Sequence, residues 1–533
     1  MSNPFSRAKN DMHYLFAKKA NLTRKNQRRK KRAISLVIGF ILVVLQLVAM
    51  ILFLLQIFKL DILPMKYLII LNLILVLLLV YNFLSQFSTA NIIGKLLSIL
   101  LSGIMVFGFL VSAKVNTTLD KITDTTIRTD IVDIVVLAGD SANSLEDTLT
   151  YTYGYNSTVN KDTITKAIED INADYSASIE KKDYDDWSTI VNALYDNKEI
   201  KALAVADTMY ASLKEQFSDF SSKTKVAGTV AITTEVKLNA SDKKINEEAF
   251  IMYMSGNDEE GTISSSGRSD VNLLAVCNPV TRQILLISTP RDSYINISDG
   301  KKSGLDKLTH ASNTGIEYSM KALEDLYGYT PDYYLRVNFT GCINIVDALG
   351  GITINSDVEF SNGWEAWDKT FHYNIGPNEC DGEKTLAFVR ERKAFANGDF
   401  QRGRNQEAAL EGIINKITSP AILTNYAALL DSISDMMLTN MPVSTISSLV
   451  KGQLNDSTPW TIQSYSITGT TGTRTGQVWG LANMSVVFPD SDSINLAIQL
   501  MSKTINGEVF DIDTILEEQE NSQNTTSAST KAQ

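Results

Sequence analysis

Three long apolar segments near the N-terminus constrain this chain more than any other feature. They cover about residues 34–58, 65–84 and 96–113. Each approaches or exceeds the roughly 20 residues that a helix needs to cross a membrane. The first is too long, and too soon followed by the next, to be a cleaved signal peptide. We therefore predict three transmembrane helices within residues 33–113. Three buried helices of a soluble core are the less favoured alternative, because unbroken apolar segments of this length are rare there.

The segment before the first predicted span is strongly basic. Residues 1–32 hold eleven Lys and Arg residues against one acid, Asp11. Positive residues beside a span favour the cytoplasmic side, so we expect this tail in the cytoplasm. After three crossings, everything beyond about residue 113 is then extracytoplasmic, and the chain is predicted to be a multi-pass protein of the cell membrane. The tail could also bind anionic lipid or nucleic acid, but orienting the first span is the favoured role.

The charge of the remainder argues against nucleic-acid binding. The chain carries a net charge of -11, of which the first 32 residues contribute +10, so the remainder carries -21. Residues 114–245 have a mixed helix and strand pattern, one arginine (Arg128), no histidine and no Gly-rich loop. We predict a small α/β accessory domain that acts as a spacer, docks a partner or orients a substrate, without chemistry of its own.

From about residue 246 helical patterns alternate with short strand patterns. This alternation predicts an α/β catalytic domain over residues 246–511, with a mixed sheet flanked by helices. Residues 512–533 are acidic and then rich in Ser, Thr and Gln, without apolar periodicity. We predict that this tail is disordered.

Two carboxylates and two arginines lie close together at the start of this domain. Asp258 and Asp270 are twelve residues apart, Arg268 precedes the second, and Arg291 ends the next apolar strand pattern. Carboxylates bind hard divalent cations, and arginine forks match phosphate oxygens. On these residues alone, a metal-assisted phosphate site and charged turns flanking a β-hairpin are equally good interpretations.

A second arginine cluster decides between them. Nine of the chain's 15 arginines follow residue 250, and four are bunched at Arg390, Arg392, Arg402 and Arg404. Arg390 and Arg392 share a side if the backbone is extended, while Arg402 and Gln406 share a helical face. A solvated, salt-bridged surface would be served equally well by lysine, of which the chain has 34. Repeated arginine therefore favours bidentate anion binding, and two acids with several arginines suit a pyrophosphate.

Other common chemistries find little support in the sequence. The three histidines, His13, His310 and His372, have no metal-type spacing, and neither a GxSxG motif nor a Walker loop occurs. A histidine-based hydrolase is therefore disfavoured, and His310 is interpreted as a structural residue near the site.

Four segments, in order, resemble motifs of the LytR-CpsA-Psr family, most closely its capsule-associated CpsA-type members. Those members also have a basic tail, three spans and an accessory domain, so the resemblance covers almost the whole chain. The matching segments are Gly256-Asn257-Asp258 with Arg268-Ser269-Asp270, Ser288-Thr289-Pro290-Arg291-Asp292, Asp306-Lys307-Leu308-Thr309-His310-Ala311, and Gly382 to Arg392 followed by Asp399-Phe400-Gln401-Arg402.

The resemblance implies a membrane-anchored phosphotransferase. Such an enzyme moves a glycopolymer, capsular polysaccharide or a teichoic-acid-like polymer, from an undecaprenyl-pyrophosphate carrier to peptidoglycan and releases polyprenyl phosphate. The implied partners are the lipid-linked polysaccharide, peptidoglycan and the membrane, and capsule-synthesis proteins are a further expected partner. The implied cofactor is Mg²⁺, or Mn²⁺, bound by Asp258 and Asp270.

The family also implies roles for individual residues. The residues assigned to pyrophosphate are Arg268, Arg291, Lys307, Arg390, Arg392, Arg402 and Gln406. The implied catalytic residues are Arg291, Arg390, Arg392 and Asp399, the last of which either orients Arg402 or helps to deprotonate the acceptor. Many members have an Arg-Gln pair where this chain has Asn405-Gln406, with Arg404 one place earlier, so the role of Arg404 stays open.

Two alternatives use the same sequence features. One is a membrane-bound regulator of capsule synthesis that acts through the basic tail on DNA or on a capsule kinase complex. The tail has no helix-turn-helix pattern, which counts against sequence-specific DNA binding. The other is a polyprenyl-pyrophosphate hydrolase that uses the same site with water as the acceptor.

Overall fold

A computed structural model describes most of the chain, and it divides into two compact units. The described residues are 4–18, 22–88, 91–123, 127–196, 199–236, 240–257, 263–362, 369–396, 398–419 and 436–518. The first unit is Met1–Asp120 with Val443–Ser457, and the second is Lys121–Pro442 with Thr458–Gln533.

The first unit is built on long helices. Its N-terminal helices are α1 Pro4–Met12, α2 Arg24–Leu60, α3 Met65–Ser85 and α4 Asn91–Thr123. The last three are long and apolar enough to cross a membrane, which confirms the three predicted helices. Helix α2 begins ten residues before its apolar segment, and α4 extends five residues before and ten residues beyond its own segment. The side of the membrane that each end faces stays a prediction.

One polar contact joins all three long helices. Gln46 Oε1 of α2 accepts hydrogen bonds from Asn82 Nδ2 of α3, at 2.8 Å, and from Ser98 Oγ of α4, at 2.7 Å. All three side chains are buried. Lipid offers no hydrophobic drive for helix association, so such interhelical hydrogen bonds hold neighbouring spans together.

A helix from much later in the chain, Val443–Asn455, belongs to this unit; it is α13 in chain order. Its Ser447 Oγ donates to the carbonyl of Leu60 at 2.8 Å, and Lys451 Nζ lies 2.8 Å from Asp61 Oδ1. These contacts join α13 to the C-terminal end of α2.

The second unit begins with a five-stranded sheet in the order β3-β2-β4-β1-β5. Its strands are β1 Ile127–Leu137, β2 Tyr153–Asn156, β3 Lys181–Tyr184, β4 Ala202–Ala206 and β5 Thr224–Glu235. Its helices are α5 Lys161–Tyr175, α6 Trp187–Asp196, α7 Asp207–Gln216 and α8 Phe220–Lys223. Helices α5, α6 and α7 all contact β1 and β4.

Alternation along β1 explains why this sheet is buried on both faces. Side chains of successive residues point to opposite faces of a strand. Ile134 and Val136 pack with Ile164 of α5, while Val135 belongs to a second core that includes Trp187 of α6. Both faces therefore carry apolar residues.

A six-stranded mixed sheet follows, in the order β16-β11-β6-β7-β8-β17. Its strands are β6 Phe250–Asn257, β7 Val271–Asn278, β8 Gln283–Ser288, β11 Tyr333–Asn338, β16 Met437–Thr439 and β17 Thr461–Ser466. Strand β7 is antiparallel to both β6 and β8, while β11 is parallel to β6 and β17 is parallel to β8. The carboxyl ends of β6, β8, β11 and β17 therefore lie at one edge of the sheet, where β7 begins.

Helices and short ribbons surround this sheet. The helices are α9 Ile316–Tyr327, α10 Phe339–Ala348, α11 Gly382–Arg390, α12 Gly398–Ile417 and α14 Ser491–Ile505. The ribbons pair β9 Tyr294–Ser298 with β10 Ser303–Lys307, β12 Ile352–Ser356 with β15 Gly376–Cys380, β13 Phe360–Ser361 with β14 His372–Tyr373, and β18 Gly469–Arg474 with β19 Met484–Pro489. This arrangement confirms the predicted α/β class with a mixed sheet and flanking helices.

The region predicted to be accessory, residues 114–245, and the region predicted to be catalytic, residues 246–511, share one core; we call them the accessory and catalytic regions. Trp187 and Leu213 of the accessory region belong to the same apolar cluster as Leu274 and Ile287 of the large sheet. Trp187 Nε1 also donates to the carbonyl of Trp479 at 2.8 Å. The two regions therefore lie within one compact unit, and the domain boundary at residue 245 stays a prediction.

The C-terminal tail departs from the sequence-based expectation at its start. Residues 512–518 are helical, and Ile512 is buried in the shared core. The backbone N–H of Ile512 donates to Gln463 Oε1 at 2.8 Å. The prediction of disorder over 512–533 is therefore wrong for 512–518, because Ile512, Ile515 and Leu516 pack on the shared core and Ile512 is hydrogen-bonded to β17. Residues 519–533 lie outside the described part.

We expect Gln46→Leu to loosen the bundle of α2, α3 and α4, since Asn82 and Ser98 would lose their shared acceptor. The expected loss is about 1 kcal/mol of unfolding free energy, the usual scale of an interhelical hydrogen bond in membranes. Thermal unfolding in detergent measures it. Gln56→Leu, the same change on the same helix, serves as the control, and equal stabilities of the two variants would contradict the role of the shared acceptor.

Candidate active site

The candidate site lies at the sheet edge where four strands end and β7 begins. Arg291 follows β8, Phe339 follows β11 as the first residue of α10, and Ser466 is the last residue of β17. Arg268 and Asp270 immediately precede β7. Loops at the carboxyl ends of strands are where open α/β sheets bind their ligands. Topology thus gathers residues that are as much as about 200 positions apart in the chain.

A fully buried arginine, Arg336 of β11, holds the loop before β7. Its Nη2 donates to the carbonyls of Ser266 and Gly267, at 3.2 and 2.9 Å, and its Nη1 donates to Ser269 Oγ at 3.2 Å. Gly267 has a φ of 114°, a conformation that favours glycine. A buried guanidinium is tolerated only when its donors are satisfied. Strand β11 therefore fixes the backbone from which Arg268 projects.

Asp270 and Arg291 form a buried ion pair at the centre of the edge. Arg291 Nη1 donates to Asp270 Oδ1, and their side chains are 15% and 8% exposed, respectively. Burial alone would raise the pKa of Asp270, but the charges of Arg291 and Arg268 outweigh it and lower that pKa. Burial alone would lower the pKa of Arg291, but Asp270 and Asp292 raise it. Both groups are therefore charged at neutral pH.

Lys307 and His310 each contact a buried acid near this pair. Lys307 Nζ is 3.0 Å from Asp292 Oδ1, and Lys307 is not among the described residues that line the cavity. Lys307 thus forms an ion pair that holds Asp292 beside Arg291, and its contact with pyrophosphate stays a prediction. His310 Nδ1 lies 2.8 Å from Asp306 Oδ1, and both side chains are buried, in agreement with the predicted structural role of His310.

The second arginine cluster reaches the same edge from the end of α11. Asp381 caps this helix, since its side chain accepts from the backbone N–H of Lys384. The helix ends at Arg390, and Glu391 is extended, with φ −64° and ψ 131°. This change of backbone conformation brings both Arg390 and Arg392 to the cavity. The Arg390 guanidinium lies 4.4 Å from the centre of the Phe339 ring, a cation–π contact that holds it in place.

Helix α12 supplies the remaining predicted ligands. Asn405 Nδ2 donates to the carbonyl of Phe388 at 3.0 Å, which fastens α12 to α11. Arg402 and Gln406, four residues apart on one face, both line the cavity as the helical spacing predicts.

The cavity that these residues enclose has a volume of about 170 Å³. Seven of the lining residues are predicted site residues: Arg268, Asp270, Arg291, Arg390, Arg392, Arg402 and Gln406. The same lining also includes Glu215, Phe339, Asn362, Ala387, Val389, Glu391 and Lys393. Five guanidinium groups around one small cavity make it a site for an anion with several charged oxygens.

Three other predicted or open positions have different outcomes. Asp258 lies within residues 258–262, outside the described part of the chain. Asp399 is the second residue of α12, but its side chain is not described, so its predicted role stays a prediction. Arg404, whose role the sequence leaves open, forms an exposed ion pair in which its Nε donates to Asp357 Oδ2 at 2.9 Å.

Sequence reasoning missed several lining residues for identifiable reasons. Glu391 and Lys393 adjoin the predicted arginines, so their position next to Arg390 and Arg392 was a usable signal. The sequence held no such signal for Glu215, because it lies in the accessory region, 53 residues before its partner Arg268. The sequence of that region predicts no chemistry, and the structure places one of its residues, Glu215, in the lining of the cavity.

Asp270 has the properties of one ligand of a hard divalent cation. Its Oδ2 is buried and accepts no hydrogen bond from the described residues, while Oδ1 accepts from Arg291. An ionised carboxylate with one oxygen in reserve fits Mg²⁺ or Mn²⁺. Among the described residues, a cluster of three or more metal-type side chains is not found. Among the described residues, Asp270 therefore fits as one ligand of a metal site.

Glu407 is a second buried acid beside the cavity. It follows Gln406 on α12, is 4% exposed, and its Oε1 accepts from Ser466 Oγ at 2.8 Å. Burial raises the pKa of Glu407 to about 8. The carboxyl is therefore mostly protonated at neutral pH, and it joins α12 to the end of β17 without adding a negative charge.

Comparison with known proteins identifies similar sequences. The family model described as the LytR_cpsA_psr family matches residues 213–496. The polyisoprenyl-teichoic acid–peptidoglycan teichoic acid transferase TagU of Enterococcus faecalis is 33% identical over 199 residues, which cover 37% of this chain and 63% of that protein. TagU of Bacillus licheniformis is 31% identical over 224 residues, covering 41% and 70%, respectively. The chain thus spans slightly less than two thirds of the E. faecalis relative.

Solved structures that match this chain cover about half of it. The crystal structure of Bacillus subtilis TagV matches with a TM-score of 0.40 and 22% identity, covering 49% of this chain and 98% of that one. A Streptococcus agalactiae protein matches with a TM-score of 0.41 and 25% identity, covering 50% and 90%, respectively.

The buried acid on α12 generates a prediction about stability and pH. Glu407 has a pKa of about 8 in the folded protein against 4.5 ordinarily, so between these values the folded protein holds a proton that the unfolded chain has released. The free energy of unfolding therefore falls as pH rises through this window, by up to about 1.4 kcal/mol per pH unit. In Glu407→Gln this contribution is absent.

We expect thermal unfolding at about pH 5 and about pH 8 to reveal a smaller pH-dependent loss in Glu407→Gln than in the unsubstituted protein. An unchanged difference between the two pH values would show that Glu407 is ionised in the fold.

Proposed function

The chain belongs to the LytR-CpsA-Psr family, and from that premise we propose that it is a membrane-anchored phosphotransferase. Its donor is a glycopolymer linked to a polyprenyl pyrophosphate, and its acceptor is peptidoglycan. The observation that carries this proposal is the cavity in which Arg268, Arg291, Arg390, Arg392 and Arg402 surround the ionised carboxylate of Asp270. Curated relatives named as teichoic acid transferases to peptidoglycan support the same class of reaction.

In the proposed reaction a hydroxyl of peptidoglycan attacks the phosphorus that carries the sugar. The bond from that phosphorus to the bridging oxygen breaks, and polyprenyl phosphate leaves. Charge grows on the leaving phosphate, and guanidiniums placed beforehand around the cavity stabilise it. The proton of the hydroxyl needs an acceptor, and Asp399 at the start of α12 is the residue proposed for it.

Each half of the site has its own part in binding. Arg291, held by Asp270, and Arg268, held by the loop that Arg336 fixes, approach the pyrophosphate from the β7 and β8 side. Arg390, Arg392 and Arg402 approach it from α11 and α12. Such opposed arginine forks orient a pyrophosphate, so that one phosphorus faces the acceptor.

Magnesium, or manganese, is the proposed cofactor. Asp270 Oδ2 would hold it, together with Asp258, and the ion would neutralise pyrophosphate charge. The membrane topology is likewise proposed: α2, α3 and α4 cross the bilayer, the basic tail stays in the cytoplasm, and the catalytic region is extracytoplasmic. Capsular polysaccharide is the proposed polymer, with a teichoic-acid-like polymer as the other candidate of the same class.

We expect Arg402→Ala to lower transfer of polymer from lipid-linked donor to peptidoglycan roughly 10²-fold, the usual effect of removing one donor to a developing oxyanion. Arg404→Ala, two residues further along α12 and paired with Asp357, serves as the matched control and is expected to retain activity. The assay uses membranes with equal amounts of each protein and measures polymer bound to peptidoglycan. Equal loss in both variants, or in neither, would overturn the assignment.

The same assay separates transfer from hydrolysis. A transferase attaches polymer to peptidoglycan, whereas a hydrolase releases polymer phosphate into solution even when peptidoglycan is in excess. Arg402 is preferred to Arg291 for this test because Arg291 belongs to a buried ion pair. Removal of one partner of such a pair costs about 3–5 kcal/mol of stability, which would confuse lost activity with lost fold.

We expect transfer to require a divalent metal ion that Asp270 binds. A chelator should abolish transfer, and Mg²⁺ or Mn²⁺ should restore it. Asp270→Asn keeps an oxygen that can accept from Arg291, and it should need a higher metal concentration because an amide oxygen is a weaker ligand than a carboxylate. A titration of activity with Mg²⁺, with thermal unfolding as a check of the fold, measures the shift. Full activity of the unsubstituted protein in chelator would refute the cofactor.

A further inference from the structure

One carboxylate in the cavity comes from the accessory region. Glu215, in the last turn of α7, places its Oε1 2.6 Å from Nη1 of Arg268. It lines the same cavity as Asp270, Arg291 and Arg402. It is also near enough to add to the negative charges that raise the pKa of Arg291, after the larger effects of burial and of Asp270 and Asp292. The accessory region therefore contributes an acid to the candidate active site.

The position of this acid is fixed by the packing of α7. Met209 and Leu213, on the inner face of the helix, are fully buried in the core shared by the accessory and catalytic regions. The helix ends cleanly after Gln216, where the backbone N–H of Phe217 donates to the carbonyl of Leu213 at 2.9 Å. The backbone of Glu215 thus has a defined location relative to the large sheet.

Arg268 has a fixed backbone but a long side chain. The backbone N–H groups on either side of it, those of Gly267 and Ser269, donate to the carbonyls of Ser312 and Thr309 at 3.0 and 3.3 Å. The side chain is 12% exposed. An unrestrained arginine side chain carries about 2 kcal/mol of rotamer entropy, which a phosphate ligand would otherwise have to remove on binding. The ion pair with Glu215 removes part of that freedom in advance.

The pair is poorly suited to a role in stability alone. The side chain of Glu215 is 52% exposed, and ion pairs in contact with solvent contribute about 0–1 kcal/mol. Orientation is a different matter, because binding gains from groups that are already in place. A guanidinium has five N–H donors in a planar fork, so a carboxylate oxygen at Nη1 and a phosphate can engage it together.

We propose that Glu215 is a positioning residue that holds the Arg268 guanidinium toward the pyrophosphate, so that the accessory region completes the active site. This inference rests on the proposed function. It gives the accessory region a defined contribution, and it makes Glu215 and Arg268 one unit in donor binding.

The test measures binding of inorganic pyrophosphate to the full-length protein in lipid nanodiscs, in magnesium-containing buffer, by titration calorimetry. The variants are Glu215→Ala, Glu215→Gln, Arg268→Ala and the double variant. Glu199→Ala is the matched control, since Glu199 also lies in the accessory region, is 57% exposed, and pairs with Lys182 at 2.6 Å. Thermal unfolding of each variant reports the fold.

We expect Glu215→Ala to weaken pyrophosphate binding about 5- to 10-fold, with Glu215→Gln intermediate because an amide oxygen still accepts from Nη1. Glu199→Ala should bind as the unsubstituted protein does, and all unfolding temperatures should agree closely. In the Arg268→Ala background, Glu215→Ala should have no further effect, which a merely structural role of Glu215 would not produce.

Unchanged binding in Glu215→Ala, with weaker binding in Arg268→Ala, would overturn this inference and leave the proposed function standing. Tighter binding in Glu215→Ala would also overturn it, because Glu215 would then compete with phosphate. Failure of the unsubstituted protein to bind pyrophosphate would overturn the proposed function and this inference with it.

Discussion

The need to balance charge around a small, partly buried cavity shapes the whole site. Five guanidiniums that converge on about 170 Å³ would repel one another without counter-charges nearby. Asp270 supplies one to Arg291, and Glu215 supplies one to Arg268. Asp292 lies next to Arg291 and is itself held by Lys307. Because Glu215 comes from a different region than Asp270 and Asp292, this full set of counter-charges is in place only when the two regions are packed together.

The sheet and its loops carry this arrangement. Four parallel strand ends and the start of β7 bring the residues to one edge, and a fully buried Arg336 ties the loop before β7 to β11. Glu407 fastens α12 to the end of β17 while it is protonated, so a polar contact is made without an added negative charge beside the arginines. Rigid supports of this kind are what a phosphate site needs, since catalysis by positioned arginines depends on their orientation before the substrate arrives.

Sequence patterns predicted much of this. The three apolar segments are helices, and the alternating patterns after residue 246 form a mixed sheet with flanking helices. Seven of the ten predicted site residues, all except Asp258, Lys307 and Asp399, line one cavity. Periodicity and residue chemistry are local properties, and they can be recognised in a single sequence. The short strands β2, β3, β9 and β10 were not predicted, because a segment of four or five residues is too short for its period to be recognised.

The sequence alone determined three features: the three long apolar helices, the class of fold, and the residue types that gather at the candidate site. Unbroken apolar length, alternating patterns and repeated arginine indicate them, respectively. Tertiary structure decided the partners. It paired Lys307 with Asp292, placed Arg404 against Asp357, and brought Glu215 to Arg268 across 53 residues. Ion pairs between distant segments depend on how helices and sheets pack, and packing is a property of the whole chain that local patterns do not contain.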